Sequence, residues 1–236
     1  MVSIANNLQD VQRRIAEAAV AAGRAPSDVT LLAVSKTFGP EAVREAFAAG
    51  QRAFGENYVQ EALDKLQALA DLRAQTAWHL IGPLQSNKTK PVAEAFDWVH
   101  AVDRLKIAQR LADQRPAWLP PLQLCLQVNI SGEASKSGLL PAEVVATALA
   151  VAALPRERVQ LRGLMAIPEP ADGFEAQRRP HRALRELLAA VNEAGLKAGW
   201  PHGLDTLSMG MSADLAAAVA EGATMVRVGT AVFGHR

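Results

Sequence analysis

Cysteine occurs once, at Cys125 in the apolar run LQLCLQV. An intramolecular disulfide is excluded, which fits a reducing compartment. A lone cysteine in such a run reads as a small buried hydrophobe. Charge of one sign is also missing. Lys and Arg number 25 against 24 Asp and Glu, a net +1, so there is no electrostatic footprint for nucleic acid. The longest apolar stretch, VVATALAVAAL at 144–154, is too short for a membrane span of about 20 residues. The opening MVSIANNLQDVQRR has no continuous apolar core, so no signal peptide is expected. These absences predict a soluble, cytoplasmic protein that binds neither nucleic acid nor membrane.

Several chemistries are excluded in the same way. The chain contains no G-x-x-x-x-G-K-[ST], G-x-S-x-G or H-E-x-x-H. Its five histidines, His79, His100, His181, His202 and His235, show no metal-ligand spacing. Lysine is scarce, 7 against 18 arginines, so each lysine merits inspection.

Half of the 236 residues are apolar, enough for a sizeable core. Ile4, Leu8, Val11, Ile15, Ala18 and Ala22 recur at helical spacing, and Gly23 can end that helix. An alternation follows. Strand patterns fall at 30–35, 52–56, 77–82, 98–102, 122–129, 159–167, 204–209 and 224–229. Segments of helical periodicity separate them, one starting at Pro141. Runs apolar on both faces suggest a parallel sheet covered on both sides. Eight βα units in this length fit a single-domain (β/α)8 barrel over 1–236 with an extra N-terminal helix. A doubly wound open sheet is the competing architecture.

A barrel of this kind carries its chemistry at the C-terminal ends of its strands. That rule selects Lys36, directly after LLAVS. Its amine could form a Schiff base, or could snorkel to solvent. SMGMS (208–212) and GTAVFG (229–234) follow the seventh and eighth strands. Ser208, Gly210, Gly229 and Thr230 are therefore phosphate-binding candidates, ordinary turn chemistry being the alternative. Arg227 interrupts the apolar run MVRVG and needs an acceptor. That acceptor is either a carboxylate or the nitrogen of a bound heteroaromatic ring. In the second case the guanidinium keeps the ring nitrogen unprotonated and weakens carbanion chemistry. Asn57 reads as a hydroxyl-orienting group or a helix N-cap, and His79 as a core histidine. Lys136, in NISGEASKSG (129–138), reads as a surface lysine or an anion contact.

The segments LLAVSKTFGPEAVREAFAAGQRAFGENYVQEALDK (31–65), WHLIGPLQSNKTK (78–90), VNISGEASKSGL (128–139), LRGLMAIP (161–168) and 204–234 together resemble the pyridoxal phosphate homeostasis protein family. These are stand-alone barrels like the N-terminal domain of alanine racemase. The resemblance implies a fold-type III barrel holding pyridoxal 5′-phosphate (PLP) as a Schiff base on Lys36. Ser208, Gly210, Gly229 and Thr230 match the phosphate positions and Arg227 the arginine at the ring nitrogen. Asn57 and His79 lie near the cofactor in such barrels. It further implies vitamin B6 homeostasis with little or no turnover; a monomer in transient contact with PLP-dependent apoenzymes is expected, since the dimer of related racemases relies on a further domain. An amino-acid racemase is the alternative. Related racemases take a second acid/base, a tyrosine, from a further C-terminal domain; this chain ends at Arg236, and Tyr58 is its only tyrosine. A class I aldolase-like barrel condensing Lys36 with a sugar phosphate is a third reading.

Overall fold

The computed structural model describes residues 3–133 and 136–234. Its strands are β1 (Thr30–Val34), β2 (Ala53–Glu56), β3 (Ala77–Leu80), β4 (Trp98–Val102), β5 (Leu122–Gln127), β6 (Val159–Met165), β7 (Thr206–Ser208) and β8 (Met225–Val228). All pair in parallel in chain order, and β8 returns to β1 to close a barrel. The helices are α1 (Ile4–Ala21), α2 (Pro40–Ala48), α3 (Val59–Ala68), α4 (Thr89–Ala95), α5 (Leu105–Gln114), α6 (Pro141–Ala152), α7 (Phe174–Lys197), α8 (Leu215–Ala220) and α9 (Thr230–Phe233). This is the (β/α)8 barrel, with α1 as the extra element in front. Among the described residues, no helix is long and apolar enough to cross a membrane.

Side chains alternate across each strand, and the register sorts them into two shells. Leu31, Ala33, Phe54, Trp78, Leu80, Leu124, Leu126 and Val226 pack outward against the helices in one large apolar cluster. Leu32 pairs with Arg227, Gly55 with His79, and Met165 with Ser208. These residues form the inner face. The lumen is thus narrow and partly polar, while most hydrophobic burial lies in the mantle between barrel and helices.

Two local features follow from residue type. Helix α1 begins at Ser3, whose hydroxyl accepts from the Asn6 N–H, and it buries Leu8, Val11, Ile15 and Ala19. Pro180 lies inside α7. It removes one N–H from the helix ladder, yet the helix continues because His181, Leu184, Leu188 and Val191 are buried beyond it.

Gly163 has no room for a side chain, since a Cβ there would lie 1.8 Å from the Thr206 carbonyl oxygen. The obstacle is backbone of the neighbouring strand and cannot swing aside. Gly163→Ala should therefore cost about 3 kcal/mol or more in urea unfolding. A loss below about 0.5 kcal/mol would contradict this packing.

Candidate functional site

The rim begins at the exit of β1. Ser35 is fully buried and Lys36 is exposed. Leu32 and Val34 face inward, and Lys36 stands two residues past the end of the strand, at the mouth. Thr37 follows with φ 71°, the only described non-glycine residue in the left-handed region. Phe38 then stacks on Phe233 of α9, ring centroids 5.1 Å apart. The lysine turn thereby leans on the loop that leaves β8.

The loops after β7 and β8 lie side by side, with the Met209 N–H donating to the Met225 carbonyl and the Arg227 N–H to the Gly210 carbonyl. Among the described residues, the backbone N–H groups of Ser212, Ala213, Thr230 and Ala231 have no protein acceptor. Unfilled amides of this kind suit an anion. The first loop is braced from three sides. Arg14 of α1 donates to the Ser212 carbonyl at 2.7 Å. Asp214 accepts from the Met211 N–H at 2.7 Å, and its second oxygen meets His181 Nε2 at 2.8 Å.

The candidate residues in these loops separate by role. Gly210 has φ +93°, and a Cβ there would lie 2.4 Å from Ala218 Cβ. Glycine is needed at this position for α8 to pack. At Gly229 a Cβ would come within 3.3 Å of the Val34 carbonyl oxygen, so this residue brings the β8 exit against β1. Ser208 is fully buried on the inner face, and its hydroxyl is engaged there with other side chains. The hydroxyl that stands in the loop itself is that of Ser212, which is half-buried.

Arg227 is 4% exposed and, among the described residues, has no carboxylate within ion-pair distance. Its Nη1 donates to Ser208 Oγ at 2.8 Å and its Nη2 to the Ala166 carbonyl at 2.9 Å. The chain runs on from Ser208 Oγ to His100 Nδ1 at 2.8 Å, and from His100 Nε2 to His79 Nδ1 at 3.0 Å. His79 stacks on Trp98 beneath. Burial pushes His79 down to about 3. Burial, then His79 and Arg227, holds His100 well below the ordinary histidine value. Both imidazoles are neutral at pH 7; His100 gives one donor and one acceptor to the chain, and His79 ends it through Nδ1. Burial also lowers Arg227 to about 10, which leaves a guanidinium charged at pH 7. His79 is therefore placed in the lumen behind Arg227.

Across the mouth, a pocket of about 220 Å³ is lined by Asn57, Ile81, Gly82, Asn129, Lys136 and Ile167, among others. Asn57 Oδ1 is buried without a hydrogen-bond partner among the described residues. Gly82 brings the β3 exit against it, since a Cβ at Gly82 would lie 2.2 Å from the Asn57 carbonyl oxygen. Lys136 pairs with Glu133 at 2.7 Å. Residues 134–135 of that loop, and His235, lie outside the described residues. Cys125 is buried in the lumen, its thiol pushed up to about 12 by burial, and so is held as a neutral thiol. No group of three His, Cys, Asp or Glu among the described residues could hold a metal ion.

Sequence reasoning missed His100, Ser212 and Lys65. His100 lies two residues after Trp98 on the same inward phase, a signal available in the run WVHAV. Ser212 lies four residues after Ser208 in SMGMS and is the polar residue clear of the strand. Lys65 gave no signal, because a lysine in a helical pattern reads as solvated.

A closed parallel barrel with a lysine just past its first strand, unpartnered amides after its last two strands and a buried arginine below is a (β/α)8 barrel whose mouth suits an anion. The chain matches the family described as "Alanine racemase, N-terminal domain" over residues 3–236, and it belongs to that family. It is 62% identical to the pyridoxal phosphate homeostasis protein of Pseudomonas aeruginosa, over 100% of this chain and 97% of that protein. It is 55% identical to the protein of the same name from Escherichia coli K12, over 100% and 98%. Among solved structures it is similar to PipY of Synechococcus elongatus with PLP bound. The TM-score is 0.79 at 40% identity, covering 93% of this chain and 100% of that one.

Proposed function

We propose that this chain binds PLP, holds it covalently through Lys36 and serves vitamin B6 homeostasis in the cytoplasm with little or no turnover. One observation carries the reading. Among the described residues, an exposed lysine after β1, four unpartnered amides after β7 and β8 and a buried arginine without a carboxylate partner lie at the C-terminal end of one barrel. The residues present fit PLP on their own terms. Ser212, Ala213, Thr230 and Ala231 offer N–H donors to a phosphate, with the hydroxyls of Ser212 and Thr230 beside them. Gly229 keeps that loop close to β1, and Gly210 shapes the other. Asn57 Oδ1 is an unused acceptor for a ring hydroxyl. Arg227 has a second N–H on each of the two nitrogens already bonded, available for a ring nitrogen. In this reading Ser208 and His79 serve the cofactor indirectly, by holding Arg227. Residues 1–236 act as one binding domain.

When bound, PLP supplies an aldehyde carbon open to amines and an electron-withdrawing ring. Lys36 Nζ bonds that carbon and one water leaves. Arg227 brings a fixed cation to the ring nitrogen and so opposes its protonation. His79 and His100, held neutral, have no proton to spare for it. These residues restrain carbanion chemistry, which supports storage over racemisation. Tyr58, at the start of α3, is 58% exposed, and the mouth beside it is open to exchange. The protein acts as a monomer that passes cofactor to apoenzymes in transient contacts. The relatives' name and the PLP in PipY support the same reading. The test is to add PLP, reduce with borohydride and map the modified peptide. One modified residue, Lys36, is expected; modification confined to other lysines overturns the proposal.

A further inference from the structure

Lysine at a strand exit is useful only if its direction is fixed. The two peptide groups that flank the Lys36 Cα set that direction. One contains the Ser35 carbonyl, the other the Thr37 N–H. In an ordinary turn both would face water. Here both are tied to side chains from α3.

Lys65, on α3, is 4% exposed. Its Nζ donates to the Ser35 carbonyl at 2.7 Å. It also lies 2.7 Å from Glu56 Oε1 and 2.7 Å from Glu61 Oε1. Glu56, fully buried at the end of β2, also accepts from the Ser35 hydroxyl at 2.6 Å. Glu61 Oε1, already held by Lys65, accepts from the Thr37 N–H. A threonine in the left-handed region is strained. That strain needs a restraint, and the bond to Glu61 provides one. A buried ammonium with carboxylate and carbonyl partners is expensive to assemble and rigid once assembled.

We propose that Lys65 is the positioning residue for Lys36. Through the Ser35 carbonyl on one side and Glu61 on the other, it fixes both peptide planes around the Lys36 Cα and aims the side chain into the mouth. Lys65 does not touch the cofactor in this scheme. The inference rests on Lys36 being the attachment point for PLP. It deepens that reading by naming what holds the amine in place.

The experiment follows PLP uptake by stopped-flow absorbance, separating a saturable encounter from the first-order bond-forming step. The phosphate loops govern the encounter, and the aim of Lys36 governs the second step. In Lys65→Met the first-order constant should fall about tenfold or more while the encounter constant stays within about twofold. Glu61→Ala should behave likewise. Glu61→Gln should keep a first-order constant within about threefold of the parent, because its amide oxygen still accepts from the Thr37 N–H. Parent-like rates in both Lys65→Met and Glu61→Ala overturn the proposal, as do parallel losses in encounter and bond formation. Should Lys65→Met fail to fold, the Glu61→Ala and Glu61→Gln pair decides alone. Should the parent take up no PLP, the cofactor reading fails, and amide exchange then tests the positioning separately. Thr37 exchange accelerated about tenfold in Glu61→Ala, with Leu32 and Ala33 unchanged, supports it; unchanged Thr37 exchange sinks it.

Discussion

Lys36→Ala protein mixed with PLP shows no borohydride-reducible attachment, and its overall affinity for PLP falls by about a hundredfold or more, about 3 kcal/mol. The amine is the sole element of the site removed, so the residual affinity measures the non-covalent grip of the loops after β7 and β8. Four of the six other lysines are already paired. Lys65 is buried against Glu56 and Glu61. Lys136, Lys90 and Lys197 face Glu133, Glu94 and Glu193. Proximity explains the size of the effect, because the phosphate grip turns bond formation into an intramolecular event. Equilibrium dialysis and mass spectrometry after reduction check both parts. A variant that still carries one reducible PLP per chain removes Lys36 from the account.

Acidification gives the second large effect. A histidine with its ordinary value near 6.5 in the unfolded chain takes up a proton below that pH. His79 in the barrel does so only near 3, and His100 is likewise lowered. Below pH 6.5 the unfolded state therefore binds up to two more protons than the native state. Stability falls as pH falls, by as much as about 1.4 kcal/mol per unit for each histidine. Between pH 7 and pH 5 the pair should cost about 4 kcal/mol in urea unfolding. Glu56, raised chiefly by burial against the lowering influence of Lys65, works in the opposite sense toward the acid end. His100→Gln keeps a donor and an acceptor but cannot titrate, so it should halve the slope. A stability that is flat from pH 7 to pH 5 would show that these imidazoles are not held neutral.

The barrel was legible because its strands are apolar on both faces and its helices on one. Each of the eight strand expectations meets an observed strand, but several extend too far at their C-terminal ends. Residues such as Ala166 and Met209 stay buried after pairing stops, so hydrophobicity outruns the ladder. Helix α9 was not expected, since four residues carry no periodicity. The start of α7 was obscured by Pro180. At the candidate site, the rim rule selected Lys36, Asn57, Gly229 and Thr230 from position alone, and the fold puts all four just past the C-terminal ends of their strands. It could not separate Ser208 from Ser212, because depth along a strand depends on register with its neighbours. Arg227 is the instructive case. The sequence allowed a buried ion pair, whereas the fold supplies a hydroxyl and a carbonyl in its place. Lys65 stayed hidden because its partners are 4, 9 and 30 residues away.

Closure has a temporal consequence. β1 pairs with β8. Helix α1 and the turn after it reach across to the β8 end of the barrel, with Asn7 bonded to the Val232 carbonyl and Arg24 to those of Val219 and Ala223. Helix α1 thus finds this docking surface only after β8 has been made. The β1 exit and the loops after β7 and β8 therefore come together in one late event, when β8 closes onto β1.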